Sequence, residues 1–147
     1  MNLKTRINEA VKDAMRARDK VRLGALRLIM AEIKRVEVDE RIEVGDARVL
    51  VILDKMIKQR AESERQYRDA NRVDLADVEA FEIELIREFM PAPLDEAEID
   101  SLIDAAFAES GADDMRAMGK VMAILKPKLQ GRADMAAVSA RVKARLA

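Results

Sequence analysis

Apolar side chains recur three and four residues apart along nearly the whole chain, and no stretch alternates residue by residue. Such spacing gathers them on one face of a helix, whereas a half-buried strand needs a period of two. Leu3, Ile7, Val11 and Ala14 predict a first helix from about Leu3 to Arg18. Asp19 is placed to cap a second helix through Val36, whose apolar set (Val21, Leu23, Ala25, Leu26, Leu28, Ile29, Ile33) is wide enough for a central, buried element. Gly24 inside it predicts close approach of another helix. Val38 to Gly45 reads as a polar loop. Asp46 then caps a long helix to about Ala70, with Leu50, Leu53, Ile57 and Ala61 on one stripe. Asp74 opens a fourth, carrying Val78, Phe81, Leu85 and Phe89.

Pro91-Ala92-Pro93 ends that pattern, because proline disfavours helix in the residue before it and donates no hydrogen bond. Asp95 and Glu98 have the spacing of a capping box ahead of the stripe Ile99, Leu102, Ile103, Ala106 and Phe107, and Gly111 sits where a left-handed terminus belongs. A sixth helix is expected from about Asp114 to Leu125. A seventh is expected from Asp134 to Leu146, with Met135, Val138, Val142 and Leu146 inward. The expected fold is all-α: a four-helix unit over residues 1–90 and a smaller three-helix unit over 94–147.

Composition agrees with helices. Half the residues are apolar but only three are Phe, one is Tyr and none is Trp, so the core must be aliphatic and methionine-rich. No run approaches a membrane span, and Met1-Asn2-Leu3-Lys4 does not open a signal peptide, so a cytosolic protein is expected. The chain contains no Cys and no His, which removes thiol chemistry, thiolate metal sites and the side chain best suited to proton transfer near neutral pH. Its few serines lie in no elbow context and its glycines are scattered singly, without a phosphate loop. A self-sufficient enzyme is not expected, nor a cofactor or metal.

Charge changes the picture in the last third. Pro91 to Met115 holds eight acids and no base, while Arg116 to Ala147 holds eight bases against Asp134 alone, a net of +7. Residues 1–90 hold nineteen bases and nineteen acids, which cancel. A local basic excess is the footprint of a surface that meets a polyanion backbone; the alternative is that the two segments neutralise each other. Lys126-Pro127-Lys128-Leu129-Gln130-Gly131-Arg132-Ala133-Asp134 reads as a turn presenting three bases, with helix amides nearby to favour phosphate. Arg141 and Arg145, one turn apart, extend that surface. No aromatic side chain lies among these bases, which favours backbone contact with folded RNA over stacking on unpaired bases.

On the third helix, opposite charges stand four apart at Lys58/Glu62, Arg60/Glu64, Glu64/Arg68 and Arg65/Asp69, the pattern of a solvated face. Gln59, Ser63 and Tyr67 mark successive turns of one face, as groove lining or as ordinary packing.

The combination Lys58-Gln59-Arg60, Tyr67, Arg72-Val73-Asp74-Leu75, Glu79, Glu82, Pro91, Met118-Gly119-Lys120-Val121-Met122 and Gly131-Arg132-Ala133-Asp134 resembles the YqeY family. That family is similar to the C-terminal tail of the B subunit of the tRNA-dependent amidotransferase. The resemblance runs from about Leu3 to Leu146 and implies an all-helical fold with a larger N-terminal and a smaller C-terminal unit. It implies a role in holding tRNA, with Gly119, Lys120, Lys128, Gly131 and Arg132 matching the signature shared with the tail. From Met122 to Gly131 the connection is longer and carries Pro127, as in standalone members. The family's association with glutamine-dependent carbon–nitrogen ligation finds no supporting residue here. The resulting expectation is an accessory protein that binds tRNA or a tRNA–enzyme complex through Lys120, Lys126, Lys128, Gly131, Arg132, Arg141 and Arg145, with no DNA or membrane partner. A protein–protein adaptor for a translation enzyme and a trans-acting ligase component are the rivals.

Overall fold

The computed structural model describes residues 1–147, and they divide into two compact units, Met1–Met90 and Pro91–Ala147. Every regular element is helical.

The first unit holds α1 (Leu3–Arg16), α2 (Lys20–Glu40), α3 (Asp46–Asp69) and α4 (Val73–Arg87). Its core is an aliphatic cluster in which Ile7, Leu26, Ile29, Ile33, Val49 and Leu53 are fully enclosed, with Leu85 and Ile86 of α4 and Phe89 just beyond it completing it. Asn2 caps α1 by accepting from the Thr5 amide at 2.8 Å, and Asp19 caps α2 through the Arg22 amide at 3.1 Å.

Several expectations change here. The polar stretch after Val36 continues α2 to Glu40, and the chain turns at Arg41 with φ 55°. Glu37 explains the extension: its carboxylate accepts from Lys4 at 2.7 Å and from the Val44 amide at 3.1 Å, tying the end of α2 to α1 and to the chain that returns. Gly45, not Asp46, is the N-cap of α3, and the Asp46 carboxylate instead accepts from the Leu3 amide at 2.9 Å. The buried stripe of α3 is Val49, Ile52, Leu53 and Met56 and stops halfway along; of the expected stripe Leu53 is enclosed, Leu50 and Ile57 are partly buried against the core, and Ala61 is exposed. Beyond Met56 the helix packs on α4, where Ala76 and Ile83 are enclosed while Val78 and Phe81 face solvent. Gly24 is exposed and an added Cβ would touch nothing within 4 Å, so no helix of this unit approaches it closely.

On α3, the spacing of charges gives Glu64–Arg68 at 2.8 Å and Arg65–Asp69 at 3.3 Å, as expected. Lys58 pairs with Asp54 rather than Glu62, and Arg60 leaves the helix surface for Glu82 of α4 at 2.7 Å. Gln59 lines a hollow between α2 and α3 floored by Val36, Ile52 and Met56; Ser63 and Tyr67 are not part of it.

The second unit holds α5 (Glu96–Ser110), a short 3-10 turn (Met115–Ala117), α6 (Met118–Leu129) and α7 (Met135–Leu146). Ile103, Val121, Leu125, Leu129, Val138 and Val142 form its enclosed core. Asp95 caps α5 through the Glu98 amide at 2.8 Å, and Gly111 closes it in the left-handed region at φ 66°.

Candidate nucleic-acid interface

The expected basic turn begins later than the sequence suggests. α6 does not end at Leu125 but runs through Lys126, Pro127 and Lys128 to Leu129. Leu129 continues the stripe of Val121 and Leu125 and is fully enclosed, and that burial outweighs the hydrogen bond Pro127 cannot donate near the helix end. Lys126 and Lys128 therefore stand on a helix. The turn proper is Gln130 to Ala133, with Gly131 at φ 78° supplying the reversal that a side chain resists.

Arg132 is half-buried and meets no carboxylate, but its backbone and side chain are both tied to the start of the unit. Its carbonyl accepts from the Leu94 amide at 2.9 Å and its Nε donates to the Ala92 carbonyl at 3.3 Å. It anchors the segment entering α5 to the turn between α6 and α7. Asp134 caps α7 by accepting from the Ala136 amide at 3.1 Å.

Arg141 and Arg145 do not extend a free basic surface. Arg141 donates to Glu96 at 2.8 Å and also meets Asp100, while Arg145 reaches Asp104 at 2.7 Å. The Arg145 guanidinium also lies over the Phe107 ring, 4.3 Å from its centroid. The acidic helix α5 and the arginines of α7 thus neutralise each other, which is the alternative the charge split left open. Arg116 is likewise occupied by Asp114 at 2.7 Å, which holds that carboxyl below its usual range.

What remains is α6. Lys120, Lys126 and Lys128 are exposed and have no carboxylate within ion-pair reach. Helical spacing puts Lys120 and Lys126 on either side of a solvent-facing strip made of Gly119, Ala123 and Pro127, all exposed. No long side chain stands between the two ammonium groups, so a phosphate backbone can approach the helix closely there. Lys128 lies on the opposite border of the buried stripe, nearer the turn. Lys143 of α7 is also unpaired and exposed; it was missed because its neighbours Arg141 and Arg145 carry the same charge in sequence and only the fold separates them.

An all-helical chain of two compact units, with three unpaired lysines on one short helix of the second, defines the class of protein. The chain belongs to the family described as Yqey-like protein, whose model matches residues 4–146. It is 33% identical over 90 residues to Uncharacterized protein C22F3.15 of Schizosaccharomyces pombe, a match covering 61% of this chain and 73% of that protein. It is 29% identical over 131 residues to Altered inheritance of mitochondria protein 41, mitochondrial, of Pyrenophora tritici-repentis, covering 87% of this chain and 71% of that one. The protein of the same name from Clavispora lusitaniae is 32% identical over 80 residues, 54% of this chain and 46% of its own length. Two of these relatives are mitochondrial by name; for this chain, no helix is long and apolar enough to cross a membrane.

Proposed function

We propose that this chain is a tRNA-binding accessory protein with no active site of its own, whose second unit meets the phosphate backbone through α6. The observation that carries the reading is the set of unpaired lysines Lys120, Lys126 and Lys128, two of them flanking the strip Gly119, Ala123 and Pro127. Of the residues on which the resemblance to the amidotransferase tail rests, Gly119, Lys120 and Lys128 lie on this helix and Gly131 and Arg132 in the turn that follows it. Arg141 and Arg145 serve by holding α7 on α5, and Arg132 by holding the turn, so the contact falls chiefly to the lysines of α6. The proposed compartment is the cytosol; recovery of the tagged full chain in an organelle fraction contradicts that part.

The test is binding of defined tRNA transcripts across a salt series. Three neutralised phosphates give a slope of log affinity against log salt of roughly −2 to −3. The variant Lys120→Glu/Lys126→Glu/Lys128→Glu binds far more weakly and with a shallower slope, its helical content unchanged. The same reversal at Lys55, Lys58 and Arg65 costs little. A lysine variant that binds as tightly as the parent at every salt concentration removes α6 as the RNA surface.

A further inference from the structure

The outward face of α2 carries a seven-residue repeat that packing within the first unit does not use. Lys20, Arg27 and Lys34 stand seven residues apart, and Arg41 at the C-cap continues the spacing. All four are exposed and none has a carboxylate within ion-pair reach, although most other bases of this unit are paired. Beside this basic column runs an apolar one. Val21, Leu28 and Val38 are 69%, 48% and 62% exposed, and Gly24 and Ala31 lie between them without covering side chains. A seven-residue repeat stays in near register on a helix, drifting by only about 20° per repeat. Val21, Gly24, Leu28, Ala31, Arg35 and Val38 therefore form one seam, bordered along one edge by the bases. On the other edge Glu32 and Asp39 are both held by Arg35, at 2.5 and 3.0 Å.

We infer that this face of α2 docks an acidic amphipathic helix of another protein. The seam has the a and d positions of a coiled coil, and the unpaired bases occupy the flanking positions that choose a partner by charge. Their single sign asks for carboxylates on the incoming helix, and Gly24 lets its backbone come near. A second copy of this chain fits worse. Placed antiparallel it sets base against base; placed parallel it offers Ala25, which is buried, and two acids already held by Arg35. Nucleic acid fits the bases but not the apolar column beside them. This surface lies wholly in the first unit and does not depend on the role proposed for α6.

The experiment measures fluorescence anisotropy of labelled three-heptad peptides with the full chain. One peptide has Leu at a and d and Glu at e and g; its mirror has Lys in place of Glu. The acidic peptide binds the parent and the basic one does not. Lys20→Glu/Arg27→Glu/Lys34→Glu reverses that preference, with at least about a tenfold loss for the acidic peptide. Leu28→Ser weakens binding while leaving the charge intact. Lys120→Glu/Lys126→Glu binds the acidic peptide like the parent, which separates this result from any failure of the RNA reading. Every substituted side chain is exposed, and unchanged circular dichroism confirms folding. The inference is overturned if the parent binds both peptides alike or neither. It is overturned in favour of RNA if Leu28→Ser changes nothing while the triple variant loses a hairpin RNA. A parent that sediments as a dimer, and a triple variant that sediments as a monomer, assigns the face to a second copy and overturns it too.

Discussion

Arg60 of α3 donates through Nε to Glu82 of α4 at 2.7 Å, and the two side chains are only 16% and 17% exposed. This pair sits in the half of the α3–α4 hairpin that the aliphatic core does not reach, where Ala76 and Ile83 supply the enclosed apolar surface. Removing one partner strands a half-dry charge. Arg60→Ala is expected to cost about 1 to 3 kcal/mol in urea denaturation. The double variant Arg60→Met/Glu82→Leu should recover to within about 1 kcal/mol of the parent, because no charge is left behind. Equal losses in the single and double variants would show that the pair's packing matters and its charge does not.

Glu37 makes the first unit sensitive to acid. The Lys4 ammonium, and then the Val44 amide, hold its carboxyl below the usual range. A depressed folded value means that the contribution is fully present above the ordinary carboxyl pKa and is lost as pH falls through the lower one. Glu79 works in the opposite sense: burial, and then Glu82, raise its carboxyl, so acid relieves a cost there. Glu37→Gln should therefore flatten the acid limb of the melting-temperature profile and lower the melting temperature near neutral pH. An unchanged profile removes Glu37 from the account.

Gly131 and Leu129 define the end of α6. Gly131→Ala forces a side chain into φ 78° and should cost about 1 to 2 kcal/mol, whereas Leu129→Ala empties a fully enclosed site and should cost about 2 to 5 kcal/mol. Both losses are expected in the amide exchange of α5 to α7, with α1 to α4 unaffected, because each unit has its own apolar cluster. Matching losses of protection in α1 to α4 would mean that the two clusters unfold together.

Purified chain should release no glutamate from glutamine and carry out no ATP-dependent amidation. The expectation rests on the lack of Cys and His, of a serine in an elbow context and of a phosphate loop in the sequence. Glutamate release that co-elutes with the protein, and survives removal of contaminating enzymes, would defeat this.

Helix number and order were legible because each helix announces itself locally. Asp19 and Asp95 cap as their positions predict, and Gly111 ends α5 as a left-handed residue should. The stripe of α7 is buried as its spacing requires. Boundaries were less legible wherever a distant partner decided them. Glu37 extends α2 because Lys4 and Val44 receive it, and Leu129 draws Pro127 into α6 because an enclosed apolar site lies beyond the proline.

The candidate surface divides in the same way. Sequence alone determined that the chain is helical, that it parts near Pro91, that thiol and imidazole chemistry are absent, and that positive charge accumulates after Met115. These follow from composition and from periodicities shorter than a helix. Only the tertiary structure decided which charges are free. Arg141 and Arg145 lie some forty residues from the acids that neutralise them, whereas Lys120, Lys126 and Lys128 meet none, and linear order cannot reveal that difference. The exposure of Val21, Leu28 and Gly24 was settled in the same way. α2 has apolar residues on two faces, and periodicity does not say which one the other helices will cover.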